Sequence, residues 1–465
     1  MNKFGLLLFG LILLLALRLL AMIWLPILDS TEARYAEIAR KMVETGNWIT
    51  PQFDYGVSFW AKPPLHTWLS AIGMDLFGVS PFTARLGILL SAMATLTILW
   101  RWARSVTEDQ TAIAATLVAA SSVLFFASSA FVQTDMVLTL GVTAGMAGFY
   151  NGLNGSRRWG LLFFLGIAIG LLAKGPIAGV LTMTPITIWM LWRGSWRDLF
   201  RLPWITGVAL VCVLVIPWYA AAEIATPGFL EYFIIGEHIQ RFLQPGWSGD
   251  LYGAGREQPK GFIWLFWIIA TLPWSPLLPF LIYKLRKNRV SIKDGLYIYL
   301  LAFALTPLVF FTFAANILIA YVLPGIPAAA LLAVILWRKS GYKGAFWLKL
   351  GTAEVVVISS ILVGISILGL DRSFAPSEGR LIADYPGQGR LAILGGRNYS
   401  SEFYTEGKIL RFQTPEELDG WLEPGDGVLV PKYLAEPFKA QFANAPEAFA
   451  EDRKYFLFIP ISATE

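Results

Sequence analysis

The sequence predicts a polytopic α-helical membrane protein with a small α/β unit at its C-terminal end. Three observations predict it. Hydrophobic residues make up 56% of the 465-residue chain and charged residues only 15%, against about 25% charged in soluble domains. Apolar runs long enough to cross a bilayer recur from the first residues to about residue 370. Beyond that point short apolar strands alternate with helix-like stretches.

In chain order, apolar segments fall at 5–28, 83–102, 110–128, 136–153, 159–173, 176–192, 203–221, 261–283, 295–313, 317–337 and 346–370, judged against the roughly 20 residues that a crossing helix needs. That makes about eleven spans. With the N-terminus in the cytoplasm, alternate loops hold Arg101 and Arg104, Arg157 and Arg158, Arg193, Arg197 and Arg201, Lys284, Arg286, Lys287 and Arg289, then Arg338, Lys339 and Lys343. This is the basic bias of cytoplasmic loops. The net charge of +5 therefore reports orientation, and no nucleic-acid partner is predicted. The run 4–28 is too long for a cleaved signal peptide and has no small-residue cleavage site before Asp29. One cysteine, Cys212, excludes a disulfide within the chain and a cysteine-based metal site. Trp24, Trp192, Trp218 and Trp274 at span ends read as interfacial anchors, and Arg18, inside the first span, as a snorkelling or internally paired residue.

Three external stretches stand out: 29–82, 222–260 and everything after about 371. In the first, 31–43 alternates an apolar face (Ala33, Ala36, Ile38, Ala39, Met42, Val43) with a charged one (Glu32, Arg34, Glu37, Arg40, Lys41), the pattern of a helix lying at the membrane surface. A second helix is predicted from Leu65, after Pro63-Pro64, to about Phe77. The stretch 46–62 between them is turn-rich and aromatic. After residue 371, strands are predicted at 390–394, 408–412, 427–430 and 455–460, with helices around 400–405, 415–422 and 434–442. Nothing in this unit reads as catalytic, and a structural or acceptor-guiding role is expected. The division is thus 1–370, a transmembrane domain, and 371–465, an external α/β domain.

The external residues carry a family resemblance. Glu32-x-Arg34-Tyr35-Ala36-Glu37-Ile38-Ala39-Arg40-x-Met42, Gly46-x-Trp48, Pro51, Lys62-Pro63-Pro64-Leu65 and Trp68 resemble the first periplasmic loop of the bacterial aminoarabinose transferases of lipid A. Further matches in order are Thr134-Asp135-Met136, Lys174-Gly175-Pro176, Pro217-Trp218-Tyr219, the run from Glu237 to Phe242, Pro273-Trp274 and Tyr321-Val322-Leu323-Pro324. On these residues the chain resembles the C-type membrane glycosyltransferases, which are related to the protein O-mannosyltransferases. The resemblance implies eleven to thirteen membrane helices in the bacterial inner membrane, with the N-terminus cytoplasmic and the C-terminus periplasmic. It also implies inverting transfer of a sugar from a polyprenyl phosphate to an envelope acceptor such as lipid A or another glycoconjugate, or to a protein hydroxyl.

That chemistry asks for cations at a lipid-phosphate leaving group and a carboxylate at the acceptor. Arg34, Lys62, Lys174 and Arg241 are the candidate phosphate donors, Asp29, Glu32 and Asp135 the candidate catalytic carboxylates, and Tyr35 and His238 candidate substrate contacts. Two positions depart from the lipid A enzymes. Thr31 stands where they carry Asp, with Asp29 two residues upstream, and Ala61 stands where they carry Glu before the Lys-Pro pair. That Glu and a His are associated with a divalent metal in the family, so here the ligand set lacks a member and only His238 remains as a candidate ligand. The bland readings are a helix cap for Asp29, a helix-dipole contact for Glu32 and packing for His66. A lipid-linked sugar transporter is disfavoured, because charge gathers in external loops and no internal repeat is evident.

Overall fold

The computed structural model describes residues 3–253, 256–289, 294–341, 346–387, 389–442 and 447–459. Lys343, counted with the basic loops, and residue 460, at the end of the last expected strand, lie outside them.

α1 (Lys3–Trp24) leads into α2 (Thr31–Thr45), a hairpin of β1 (Gln52–Asp54) and β2 (Val57–Ser58), and α3 (Leu65–Phe77). The hairpin turns at Gly56, whose φ of 74° suits a residue without Cβ. α4 (Pro81–Val106) starts where Ser80 and Thr83 form a reciprocal capping box ahead of Pro81. Then come α5 (Asp109–Ala120), α6 (Val123–Ser128), α7 (Thr134–Leu153), α8 (Arg157–Lys174), α9 (Pro176–Arg193) and α10 (Trp204–Ala225). A helical run follows: α11 (Phe229–Glu231), a π-helical segment (Tyr232–Gln240) and α12 (Arg241–Leu243). α13 (Phe262–Ala270), α14 (Leu278–Lys287), α15 (Gly295–Thr312), a 3-10 segment (Ile319–Gly325), α16 (Ile326–Lys339) and α17 (Phe346–Ile367) complete the bundle.

Among the described residues seven helices are long and apolar enough to cross a membrane: α1, α4, α7, α10, α15, the Ile319–Lys339 stretch and α17. α13 and α14, bent by 102°, make an eighth if they form one span. The expected eleven segments are all helical. The difference in count lies at 110–128, broken between α5 and α6, at α8, which carries Arg157, Arg158 and Lys174, and at α9. The protein is a multi-pass membrane protein.

The antiparallel crossing of α7 and α8 positions the chemistry. Gly141, Gly148 and Gly152 of α7 meet Gly166, Phe163 and Gly160 of α8 so closely that a Cβ on Gly148 would stand 2.3 Å from the Phe163 nitrogen. Small residues repeating along one helix face permit this approach. The crossing sets the N-terminus of α7 beside the C-terminus of α8, and therefore Asp135 beside Lys174.

The C-terminal unit contains α18 (Gly379–Asp384), β3 (Leu391–Leu394), α19 (Tyr399–Tyr404), β4 (Leu410–Phe412), β5 (Gly427–Pro431), α20 (Ala435–Gln441), β6 (Ala450–Glu451) and β7 (Tyr455–Phe458). The sheet order is β4-β3-β5-β7-β6, parallel at β4, β3 and β5 and antiparallel at β7 and β6. The unit covers α2. The polar face of α2 is buried because charges complement it: Lys41 lies 3.2 Å from Glu402, and Arg397, bound to the same carboxylate at 2.8 Å, donates to the Phe53 carbonyl at 2.7 Å.

Candidate active site

A cavity of about 640 Å³ opens at the end of the bundle where α2, the loop before α3, the α7 N-terminus, the α8–α9 junction and the 222–260 stretch converge. Five cationic side chains line it: Arg34, Lys62, Lys174, Arg241 and Arg256. Three carboxylates, Asp135, Glu237 and Asp250, oppose them.

The charges form two groups. In one, Lys174 Nζ donates to Asp135 Oδ1 at 2.6 Å and lies 4.3 Å from the centre of the Tyr321 ring. Gly175 ends α8 at φ 75°, and a Cβ there would stand 2.4 Å from the Phe233 ring. Only glycine turns the chain that tightly and leaves Lys174 in the cavity. In the other group, Glu237 is held between Lys62 at 2.7 Å and Arg241 at 3.0 and 3.1 Å, with Asp250 3.4 Å from Arg241. Burial works to raise Glu237, but Lys62 and Arg241 outweigh it and hold its carboxyl below the usual range. Burial pulls the Lys62 ammonium down despite Glu237. Arg34 donates to the Tyr252 carbonyl at 2.7 Å. The Nε atoms of Arg34 and Arg241 are buried and have no acceptor among the described residues. Buried guanidinium donors without partners are costly.

A family model described as dolichyl-phosphate-mannose-protein mannosyltransferase matches residues 4–233. Curated relatives named undecaprenyl phosphate-alpha-4-amino-4-deoxy-L-arabinose arabinosyl transferase include that of Edwardsiella ictaluri, 30% identical over 330 residues that make up 70% of this chain and 57% of the relative. That of Aeromonas hydrophila subsp. hydrophila is 32% identical over 66% of this chain and 55% of its own length. The chain thus spans a little over half the length of these relatives in the matched region. Among solved structures, ArnT from Cupriavidus metallidurans bound to undecaprenyl phosphate superposes with a TM-score of 0.76 at 18% identity, covering 99% of this chain and 98% of that one. The archaeal oligosaccharyltransferase AglB from Archaeoglobus fulgidus, in complex with an inhibitory peptide and a dolichol-phosphate, reaches 0.53 at 12% identity over 92% and 70%. The chain has the fold of the C-type membrane glycosyltransferases.

Of the residues singled out by sequence, Arg34, Tyr35, Lys62, Asp135, Lys174, His238 and Arg241 all line this cavity. Asp29 and Glu32 do not. Asp29 points to the C-terminal unit, where its carboxylate accepts the Ser400 backbone N–H at 3.1 and 3.2 Å. Glu32 is fully buried in a bidentate pair with Arg85 at 2.7 and 2.8 Å and also accepts the N–H groups of Leu28 and Val132. Its acceptor capacity is spent on Arg85 of α4 and on the N–H groups of Leu28 and Val132. Tyr35 packs edge-on against His66, with ring centres 4.8 Å apart, and burial lowers His66 to about 3, which keeps it neutral. Arg18 donates to the Ala127 carbonyl at 2.6 Å and has no salt bridge among the described residues.

The residues present do not fit the family's divalent metal. Ala61 offers no side-chain donor, and both ring nitrogens of His238 face carbonyl oxygens, Phe233 at 2.8 Å and Lys174 at 3.1 Å. Among the described residues no three His, Cys, Asp or Glu side chains gather as a metal site. Sequence reasoning missed Asp250, Tyr252, Arg256 and Tyr399 as lining residues. The first three sit in the stretch 222–260, whose charge and tyrosine were a usable signal. Tyr399 belongs to the C-terminal unit and carried none.

Proposed function

We propose that this chain transfers a sugar from a polyprenyl phosphate, of the undecaprenyl type, to an acceptor at the periplasmic face of a bacterial inner membrane. The supporting observation is the cavity's cation set, in which Arg34, Lys62, Lys174, Arg241 and Arg256 converge on one opening. The names of the curated relatives and the structural likeness support the donor class. The basic bias of the loops at the other end of the bundle supports a periplasmic cavity.

In this reading Arg34, Lys62 and Arg241 hold the donor phosphate, with Arg256 nearby. Asp135, oriented by Lys174, faces the acceptor and takes the part that an Asp in place of Thr31 plays in the relatives. An acceptor oxygen attacks the anomeric carbon opposite the phosphate while its proton passes to Asp135. The anomeric carbon–oxygen bond breaks, and its electron pair leaves on the polyprenyl phosphate, where the guanidinium groups meet the developing charge. Lipid A or a related envelope glycolipid is the acceptor class proposed. The family model described as a protein mannosyltransferase favours a protein hydroxyl as the alternative. Transfer of radiolabel from undecaprenyl-linked sugar in membranes with and without the protein tests the reading. Label in the lipid fraction supports it, label in protein supports the alternative, and no protein-dependent transfer contradicts both.

A further inference from the structure

A second cavity, of about 700 Å³, lies at the opposite end of the bundle from the candidate active site, between α5, α14, α16 and the start of α17. Its wall on α16 is formed by Ile326, Ala329, Ala330, Ala333, Val334 and Trp337, positions spaced three and four apart that make one helix face. Alanines at the centre of that face leave the volume open. The lining continues from Ile326 to Lys339, roughly 20 Å of helix at 1.5 Å per residue. One bilayer leaflet with its headgroups is about as thick, roughly 20–22 Å.

The groove is mostly apolar, with Thr111, Ser122, Thr271 and Ser275 interspersed, and charged at one end only. Its charged lining residues are Glu108, Arg338 and Lys339. Arg338 reaches Glu108 and Gln110 only at 3.3 Å each, and the Glu108 side chain is 85% exposed, so water screens that pair. Lys284, Arg286 and Lys287 close α14 one turn beyond Leu281, another lining residue. Trp274 also lines the groove, and its buried indole N–H has no acceptor among the described residues. Its ring packs against Gly351 in the second turn of α17.

We propose that this groove binds a diacyl phospholipid with an anionic headgroup, its chains along the alanine face of α16 and its phosphate against Arg338 and Lys339. The length matches one leaflet, and the basic mouth complements a phosphate. The site is separate from the donor cavity and does not depend on the glycosyl-transfer reading.

The test is native mass spectrometry of the full chain in detergent, titrated with phosphatidylglycerol or with phosphatidylcholine of identical acyl chains. One phosphatidylglycerol should be retained in preference to phosphatidylcholine. Ala333→Phe, which fills the groove from a half-buried position, should weaken retention on the order of tenfold, the loss of one good contact. Arg338→Gln should reduce phosphatidylglycerol to the level of phosphatidylcholine. Ala329→Leu serves as a second filling variant, and an unchanged thermal transition certifies each fold. Equal retention of the two lipids, or wild-type retention by both filling variants, overturns the proposal. So does displacement of phosphatidylglycerol by undecaprenyl phosphate that the filling variants abolish, since the groove would then hold a polyprenyl chain.

Discussion

Lys174 and Asp135 meet at 2.6 Å although 39 residues separate them, because the glycine-lined crossing of α7 and α8 brings opposite helix ends together. Asp135 sits in the first turn of α7, where the helix dipole favours a negative charge. Its carboxylate is therefore oriented at the wall of the cavity.

Asp135→Asn should abolish sugar transfer and leave undecaprenyl phosphate binding within about twofold of wild type. Lys174→Met should lower transfer by roughly 10²-fold, within the range expected for positioned acid–base groups. Parallel transfer and binding assays on purified protein check this. Retained activity in Asp135→Asn would move the acceptor role to another residue.

The donor clamp should respond differently. Lys62→Ala and Arg241→Ala each remove a charge-assisted contact worth on the order of 1.5–3 kcal/mol, or about tenfold to more than a hundredfold in donor affinity. Glu237, which both residues hold, would lose one of its cations in either variant. Measured by donor titration, these losses should exceed those of Arg201→Ala in a loop far from the cavity.

Glu32 and Arg85 predict a stability effect. Removing one partner of a buried bidentate pair costs about 3–5 kcal/mol, so Glu32→Gln should lower the unfolding temperature of the detergent-solubilised protein markedly. Replacing both with leucine should recover part of the loss. An unchanged transition in Glu32→Gln would show that the pair does not anchor α2.

A pH effect follows from the junction with the C-terminal unit. Burial raises Asp29, and Glu378 is pushed up to about 7 by burial and then by the Asp29 charge beside it. Ser400 bridges the two: its N–H donates to Asp29 and its hydroxyl to Glu378 at 2.5 Å. A carboxyl raised in the fold favours its protonated form, so its stabilisation is complete below the ordinary value of 4.5 and is lost as pH rises through about 7. For Glu378 this amounts to roughly 3 kcal/mol. The unfolding temperature should fall between pH 5 and 8, and Glu378→Gln should flatten that slope.

The helices were legible because a bilayer imposes long apolar runs, a property of composition and local order. The α2 and α3 boundaries and the strands around 391–394, 410–412 and 427–431 followed from local periodicity in the same way. The cavity residues were legible where charge stood against an apolar background, as with Lys174 at the end of α8 and Arg241 in the stretch 222–260. Which charges pair was not legible. Glu32 finds Arg85 on another helix, and Asp29 finds Ser400 across 371 positions, so a carboxylate that looked available was consumed by tertiary contacts. Tyr399 enters the cavity only because the C-terminal unit folds back over α2.

The central claim is that the donor phosphate binds among Arg34, Lys62 and Arg241. A cryo-electron microscopy structure of the full chain with undecaprenyl phosphate tests it most directly. The account predicts phosphate density within hydrogen-bonding distance of these three side chains. Phosphate density at the opposite end of the bundle, against Arg338 and Lys339, with the Arg34–Arg241 cavity empty at saturating ligand, would contradict it.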